Sequence, residues 1–268
     1  MKQHLIVLDL DGTLLTDDKT ISHTTKTTLQ RAKEEGHQVM IATGRPFRAS
    51  EVYYKELGLT TPIVNFNGAY VHHPLNPMWQ DIHSPISIRV VRDVVESVHK
   101  YEYKNLIAEV LDDVYIHHED DVMLNSFNMG NPRVLLGDIT KNLTQDPTSL
   151  LIYAQENNIP IIRQHLQDVH AEVIEHRTWG APFPIVEVVR KGLSKAVGIH
   201  HIAQEMGIPR ERIIAFGDED NDLEMIDYAG IGVAMHNGIA ELKNIANEVT
   251  LSNNEDGIAK FLTNRLKL

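Results

Sequence analysis

Two aspartates one residue apart, Asp9 and Asp11, with Gly12 directly behind them, are the first residues of the chain whose types and spacing suit chemistry. They follow Leu5, Ile6, Val7 and Leu8, an uninterrupted apolar run that reads as a strand buried on both faces of a parallel sheet. A carboxylate pair therefore stands where a buried strand runs out into a turn, and carboxylates there are costly unless their charge is offset. A divalent cation would offset it. Hard oxygen ligands suit Mg²⁺, which takes one or two carboxylates together with waters and substrate phosphate. A carboxylate beside Mg²⁺ and a phosphoryl group can also act as a nucleophile and form an aspartyl-phosphate. Alone, Asp-x-Asp-Gly is more often a turn braced by side-chain hydrogen bonds, so the rest of the chain decides.

Other strand ends carry related groups. In QVMIATGRP a second apolar strand ends at Thr43, which brings a hydroxyl, and Gly44, which lets main-chain N–H groups approach an oxyanion closely. Pro46 suits the first turn of a helix whose N-terminus favours an anion; a capped strand-to-helix turn would use the same residues. Arg45 suits either a phosphate or a structural ion pair. Asn67, in the Asn67-Gly68 turn after a third strand from Ile63 to Phe66, is a further candidate for the same edge. Later, Ser194 reads as the N-cap of an amphipathic helix that stops at Gly207, which puts Lys195 in its first turn. A lysine there opposes the helix dipole unless it holds an anion, and on that ground Lys195 is preferred to Lys191. The strand Ile213 to Phe216 then ends in Asp218, Glu219, Asp220 and Asp222, more negative charge than a helix start explains. Between them, Asn221 can donate its amide to a phosphate oxygen without adding charge.

The elements that must position these residues follow from the patterning. Between the first two strands, Ser22 can cap a helix running through Leu29 and Ala32 to a stop at Gly36. Strand, helix and strand make a right-handed βαβ unit, which sets both carboxyl ends on one sheet edge, where open α/β sheets bind ligands. Around His83-Ser84-Pro85 the rhythm alters. A helix with Val90, Val91, Val94, Val95 and Val98 on one side leads to a strand from Leu106 to Val110 and a turn at Asp112-Asp113. SLLIYAQ, IPIIRQHL and IVEVVRKG read as short strands, with a helix near Gln164 to His176 between some of them. The expected fold class is α/β, a doubly wound and mostly parallel sheet with an inserted α+β domain. Residues 1–84 and 185–268 would form the core and 85–184 the insert, with Pro182 and Pro184 at the return hinge. A strand at Ile231, a helix to Ala246, a short EVTL strand and a helix from Asp256 to Leu266 complete the sheet. His72 and His73 would point to opposite faces of a strand and make a poor metal pair, and His117-His118 and His200-His201 read as surface or packing residues.

Composition sets bounds. With 268 residues, 42% hydrophobic and 23% charged, the chain is an ordinary globular protein long enough for about two domains. A net charge of -12 argues against a nucleic acid partner, whose phosphates call for a basic face. The absence of cysteine excludes disulfides, thiolate metal sites and a cysteine nucleophile. The apolar run between His4 and Asp9 is too short for a signal peptide or a membrane span, so no membrane contact is expected and the cytoplasm is the default. Oligomeric state is not legible.

Taken together, DLDGTLL, ATGRP, NGA, KGLSK and GDEDND resemble the signatures of the haloacid dehalogenase superfamily of phosphohydrolases, and within it the Cof-type group with a large α/β cap. The resemblance spans the whole chain; Ala196, where glycine is frequent after the lysine, is a small departure. It implies that Asp9 attacks phosphorus in line, while Asp11 protonates the leaving oxygen and then activates water against the aspartyl-phosphate. It implies Mg²⁺ held by Asp9, the Asp11 carbonyl and Asp218, with Asp222 behind. The phosphoryl group would be held by the main-chain N–H of Leu10 and Asp11, Thr43 with Gly44, Lys195 and Asn221. Arg45, Asn67 and Trp179 are candidates for substrate contact, with Glu109, Tyr115 and His117 in the cap. The implied activity is Mg²⁺-dependent hydrolysis of small phosphorylated metabolites: sugar phosphates, nucleotides or the ribitylamino-pyrimidine phosphate of flavin biosynthesis. A phosphomutase would share every core residue, a dehalogenase would not need Asp11 or the acid cluster, and a metabolite sensor would bind phosphate ligands without turnover.

Overall fold

The apolar run Leu5–Leu8 is strand β1, with no side chain reaching solvent. Helix α1 (His23–Glu34) follows, its start capped by Ser22, whose hydroxyl accepts the Thr25 N–H at 3.1 Å, and its inner face carrying Leu29 and Ala32. Strand β2 (Gln38–Ile41), helix α2 (Phe47–Glu56) and a short antiparallel hairpin of β3 (Ile63–Asn65) and β4 (Tyr70–His72) come next. The computed structural model describes residues 3–170, 172–178 and 184–268. Trp179 and Pro182 lie outside the described residues. By packing, the chain divides into two units: residues 1–45, 50–81 and 194–268 form one, and residues 46–49 with 82–193 form the other.

The second unit holds β5 (Ile82–His83), α3 (Ile88–Val98), β6 (Tyr103–Val110), β7 (Asp113–Ile116), α4 (Asp121–Ser126) and β8 (Val134–Leu136). After these come α5 (Ile139–Asn142), β9 (Ser149–Ala154), α6 (Ile159–His170), β10 (Ile174–Thr178) and β11 (Ile185–Arg190). Its sheet runs β10-β11-β9-β6-β7-β8, antiparallel except for the β7–β8 pair. Alternation along β6 separates two apolar layers. Leu106 and Ala108 pack with Val91, Val94, Ile162 and Leu166, whereas Ile107 packs with Met123 and Phe127. One expectation is corrected here. IPIIRQHL is not a strand but most of α6, and the residues up to His176, expected as helix, include strand β10. Ile159, Ile162 and Leu166 are the buried positions, a helical spacing, and Pro160 is tolerated in the first turn because its missing N–H would have no partner there.

The chain then returns to the first unit with α7 (Lys195–Glu205), β12 (Ile213–Gly217), α8 (Leu223–Tyr228), β13 (Ile231–Ala234), α9 (Ala240–Ile245), β14 (Glu248–Val249) and α10 (Gly257–Leu266). The core sheet is parallel throughout, in the order β14-β13-β12-β1-β2, and a bridge from Ala42 to Val64 continues it to β3. Leu8 lies level with Phe216 on one side and Ile41 on the other, so three strands end together. Chain order reverses at β1, between β2 and β12. A doubly wound sheet opens a crevice for ligands at that reversal, just beyond the strands' carboxyl ends.

Candidate active site

Asp9 directly follows β1, Asp218 and Asp222 follow β12, and all three are buried with carboxylate oxygens within 4.8 Å of one another. Lys195, the first residue of α7, has no exposed surface and donates from Nζ to Asp9 Oδ1 at 2.6 Å and to Asp222 Oδ1 at 2.7 Å. This contact accounts for a lysine at the positive end of a helix dipole. Ser194 occupies the N-cap position with extended backbone, but its side chain makes no capping hydrogen bond.

The remaining bonds sort the carboxylates by task. The second oxygen of Asp222 accepts the N–H groups of Asp218 at 2.9 Å and Glu219 at 3.2 Å, so both its oxygens are taken. Asp218 accepts the Thr13 hydroxyl at 2.7 Å on Oδ1 alone. Asp9 and Asp218 each keep one oxygen without a hydrogen-bond donor among the described residues. Three buried carboxylates face one lysine, and these side chains could hold a metal ion whose charge would balance them. Titration behaviour carries the same imbalance. Burial pushes the Asp9 carboxyl well above the usual range, opposed by Lys195 and reinforced by Asp222 and Asp218. Burial likewise lifts Asp218 to about 7. Lys195 stays charged because Asp222 and Asp9 outweigh its own burial. The acid cluster read from the sequence thus divides: Asp218 and Asp222 turn inward, while Glu219 and Asp220 are exposed and Glu219 caps the turn.

Gly12 makes the close approach workable. Its φ of +73° suits glycine, and a Cβ there would overlap the Asp218 carboxylate.

Asp11 belongs to a different constellation. Its carboxylate takes Arg45 in a two-pronged pair, Nε to Oδ2 and Nη2 to Oδ1, both at 2.6 Å, and Lys19 Nζ at 2.7 Å. Burial would raise its pKa, yet the Arg45 and Lys19 bonds bring it down to about 2. Lys19 sits in left-handed backbone at φ 59°, with its carbonyl held by the Tyr53 hydroxyl at 3.0 Å. The Arg45 carbonyl is fixed in turn by the Asn65 amide at 2.8 Å.

The other candidates surround the strand ends. The Leu10 carbonyl accepts the N–H of Thr13 and Leu15, bending the main chain after Asp9 into a tight turn. Thr43 is buried; its N–H donates to Val64 and its hydroxyl accepts the Arg45 N–H at 3.1 Å. Gly44 abuts Asn67, whose Oδ1 accepts the Asn221 amide at 3.0 Å. In the second unit, Glu109 and Tyr115 are buried, and His117 Nδ1 accepts the Ile139 N–H at 3.2 Å. Sequence reasoning passed over Thr13, Lys19 and Arg48. Arg48 Nη2 meets Glu109 Oε1 at 2.5 Å in a buried ion pair, and its N–H donates to Asp112. No short-range pattern marks these three; only Thr13, inside the DLDGT run, stood next to a flagged residue.

With this geometry in hand, comparison with known proteins is direct. A family model described as haloacid dehalogenase-like hydrolase matches residues 6–262. The 5-amino-6-(5-phospho-D-ribitylamino)uracil phosphatase YitU of Bacillus subtilis is 54% identical over 261 residues, covering 97% of each chain. Pyridoxal phosphate phosphatase YbhA of Escherichia coli is 30% identical, covering 99% of this chain and 100% of that one. The crystal structure of a haloacid dehalogenase-like hydrolase from Bacteroides thetaiotaomicron superposes with a TM-score of 0.84 at 26% identity, covering 98% of this chain and 99% of that one. A doubly wound parallel core with a separate mixed-sheet cap, a buried lysine among three carboxylates and a family match over nearly the full length agree: the chain belongs to the haloacid dehalogenase-like hydrolases and is a phosphoric monoester hydrolase.

Proposed function

We propose that this hydrolase is a Mg²⁺-dependent phosphatase that works through an aspartyl-phosphate on Asp9. The observation that carries the reading is the pair of free oxygens on Asp9 and Asp218, set among buried carboxylates with Lys195 between them. Asp9, the Asp11 carbonyl and Asp218 would hold the Mg²⁺, with Asp222 fixing Lys195 and the Asp218 main chain from behind. Once bound, the ion supplies positive charge against the phosphoryl oxygens and keeps the neighbouring carboxylates ionised. Asp9 attacks with a carboxylate oxygen, which Lys195 helps hold in its charged form. Lys195, Thr43 with Gly44, the N–H groups of Leu10 and Asp11, and Asn221 distribute donors around a centre whose charge spreads over three oxygens. Asp11 gives a proton to the leaving oxygen and then takes one from water. For this its carboxylate must leave the Arg45–Lys19 pair, where both oxygens are occupied and it is ionised.

Identity to the YitU phosphatase supports the phosphorylated ribitylamino-uracil of its name as the first substrate to try, with other small phosphorylated metabolites beside it. A cytoplasmic location remains part of this proposal; among the described residues no helix is long and apolar enough to cross a membrane. The test is hydrolysis of an aryl phosphate with Mg²⁺ across a broad pH range, followed by a phosphometabolite panel ranked by kcat/KM. Asp9→Asn should abolish turnover in a folded protein. Retained activity in that variant, or none in the wild type, refutes the reading.

A further inference from the structure

We propose that Asn67 is a positioning residue that ties three loops of the phosphate site together and aims the Asn221 amide; the inference rests on the phosphatase reading above. Asn67 is buried in left-handed backbone, φ 53° and ψ 31°. Asparagine is common there because its short side chain can bond to its own turn. Here the carboxamide reaches across the fold instead, and Oδ1 accepts Asn221 Nδ2 at 3.0 Å, 154 residues away. Its main-chain N–H donates to the Thr43 carbonyl at 3.1 Å. Gly44 lies so near that a Cβ there would stand 3.2 Å from both amide atoms of Asn67. The next residue, Gly68, at φ +101°, packs against the main chain of Ser194, one residue before Lys195. One short segment after β3 thus touches the loop after β2, the loop after β12 and the start of α7.

The Asn221 amide has two N–H directions, and a single acceptor on Asn67 fixes how the group is turned. With that acceptor in place, the other N–H is set for a phosphoryl oxygen without reorganisation when substrate arrives. Residues 65–68 therefore belong to the binding site through what they hold rather than through what they contact.

The test is a double-mutant cycle on affinity for inorganic phosphate in the presence of Mg²⁺, measured by calorimetry, with kcat and KM on an aryl phosphate beside it. Asn67→Gly removes the acceptor and keeps a backbone that accepts positive φ freely. It should weaken phosphate binding about tenfold, the scale of one hydrogen bond to a charged group, and raise KM more than it lowers kcat. Asn221→Ala should cost about the same, and the double variant should fall within about twofold of Asn221→Ala alone. Asn67→Asp retains the acceptor, so Asn221→Ala in that background should cost what it costs in the wild type. An active wild type in which Asn67→Gly changes nothing, or in which the two losses multiply, overturns this inference alone. A wild type that neither binds nor cleaves phosphate overturns the phosphatase reading and this inference with it.

Discussion

Lys195→Met isolates the charge balance at the centre of the site. Methionine keeps most of the lysine's length and volume, so the void it leaves is small and the loss is electrostatic. Two charge-assisted hydrogen bonds disappear, at 2.6 and 2.7 Å, between groups almost wholly buried. Breaking one partner of a buried ion pair costs about 3–5 kcal/mol because the remaining charge stays desolvated. Without divalent cation the variant should therefore lose that much unfolding free energy at pH near neutrality, seen as a urea midpoint lowered by the loss divided by the m-value. Added Mg²⁺ should stabilise the variant more than the wild type, since three carboxylates now lack their lysine and a ligand of the native state stabilises more the tighter it binds. Turnover should fall by about a thousandfold, in line with removal of a main oxyanion partner. Urea titrations with and without Mg²⁺, paired with aryl phosphate assays, measure all three. An unchanged midpoint, or a Mg²⁺ shift no larger than in the wild type, refutes the view that Lys195 is the counter-charge of this cluster.

Gly68→Ala puts a methyl against the Ser194 carbonyl at a φ of +101°, and should cost roughly 2–3 kcal/mol by thermal melting, with a drop in kcat because Lys195 is next in the chain. Arg48→Met leaves Glu109 buried without its partner and should cost about 3 kcal/mol in urea; Glu109→Gln in the same chain should recover much of it, and a double variant as weak as the summed singles refutes the pairing. His72, stacked on Tyr70 and bonded to Asn65, is held by burial down to about 4 from an unfolded value of 6.5. Between those values the unfolded chain binds the extra proton, so stability is full above pH 6.5 and is lost as pH falls toward 4, by up to about 3 kcal/mol. His72→Phe should flatten that acid limb in a pH series of melting temperatures, and an unchanged slope refutes the assignment.

Much of the core was legible because its chemistry sits where apolar strands stop. A run such as LIVL must be buried, so polar groups directly after it fall at a sheet edge, and the βαβ connection puts Asp9 and Thr43 on the same edge. Lys195 was legible for a different reason, as a charge on the wrong end of a helix. What stayed hidden depends on side chains meeting across the fold. Nothing in TDDKT shows that Lys19 will adopt positive φ and reach Asp11, nor that the two oxygens of Asp222 will be spent on Lys195 and main-chain N–H groups. In the cap, IPIIRQHL was misread because a short apolar run fits a buried strand and a buried helix face alike, and only its i, i+3, i+7 spacing separates them.

The grip of Arg45 and Lys19 on Asp11 reaches into the choice of assay. On the proposed mechanism a nitrophenolate departs without help, so its release in the first turnover passes over the carboxylate stored in that clasp, although water attack on the aspartyl-phosphate still calls on it. A sugar or ribityl alkoxide is a poor leaving group and needs the proton, so with such esters the clasp would have to open before the first step as well as the second. The ratio of first-turnover rates on the two kinds of ester, followed across Lys19 and Arg45 variants, would measure how tightly the resting protein withholds that proposed acid.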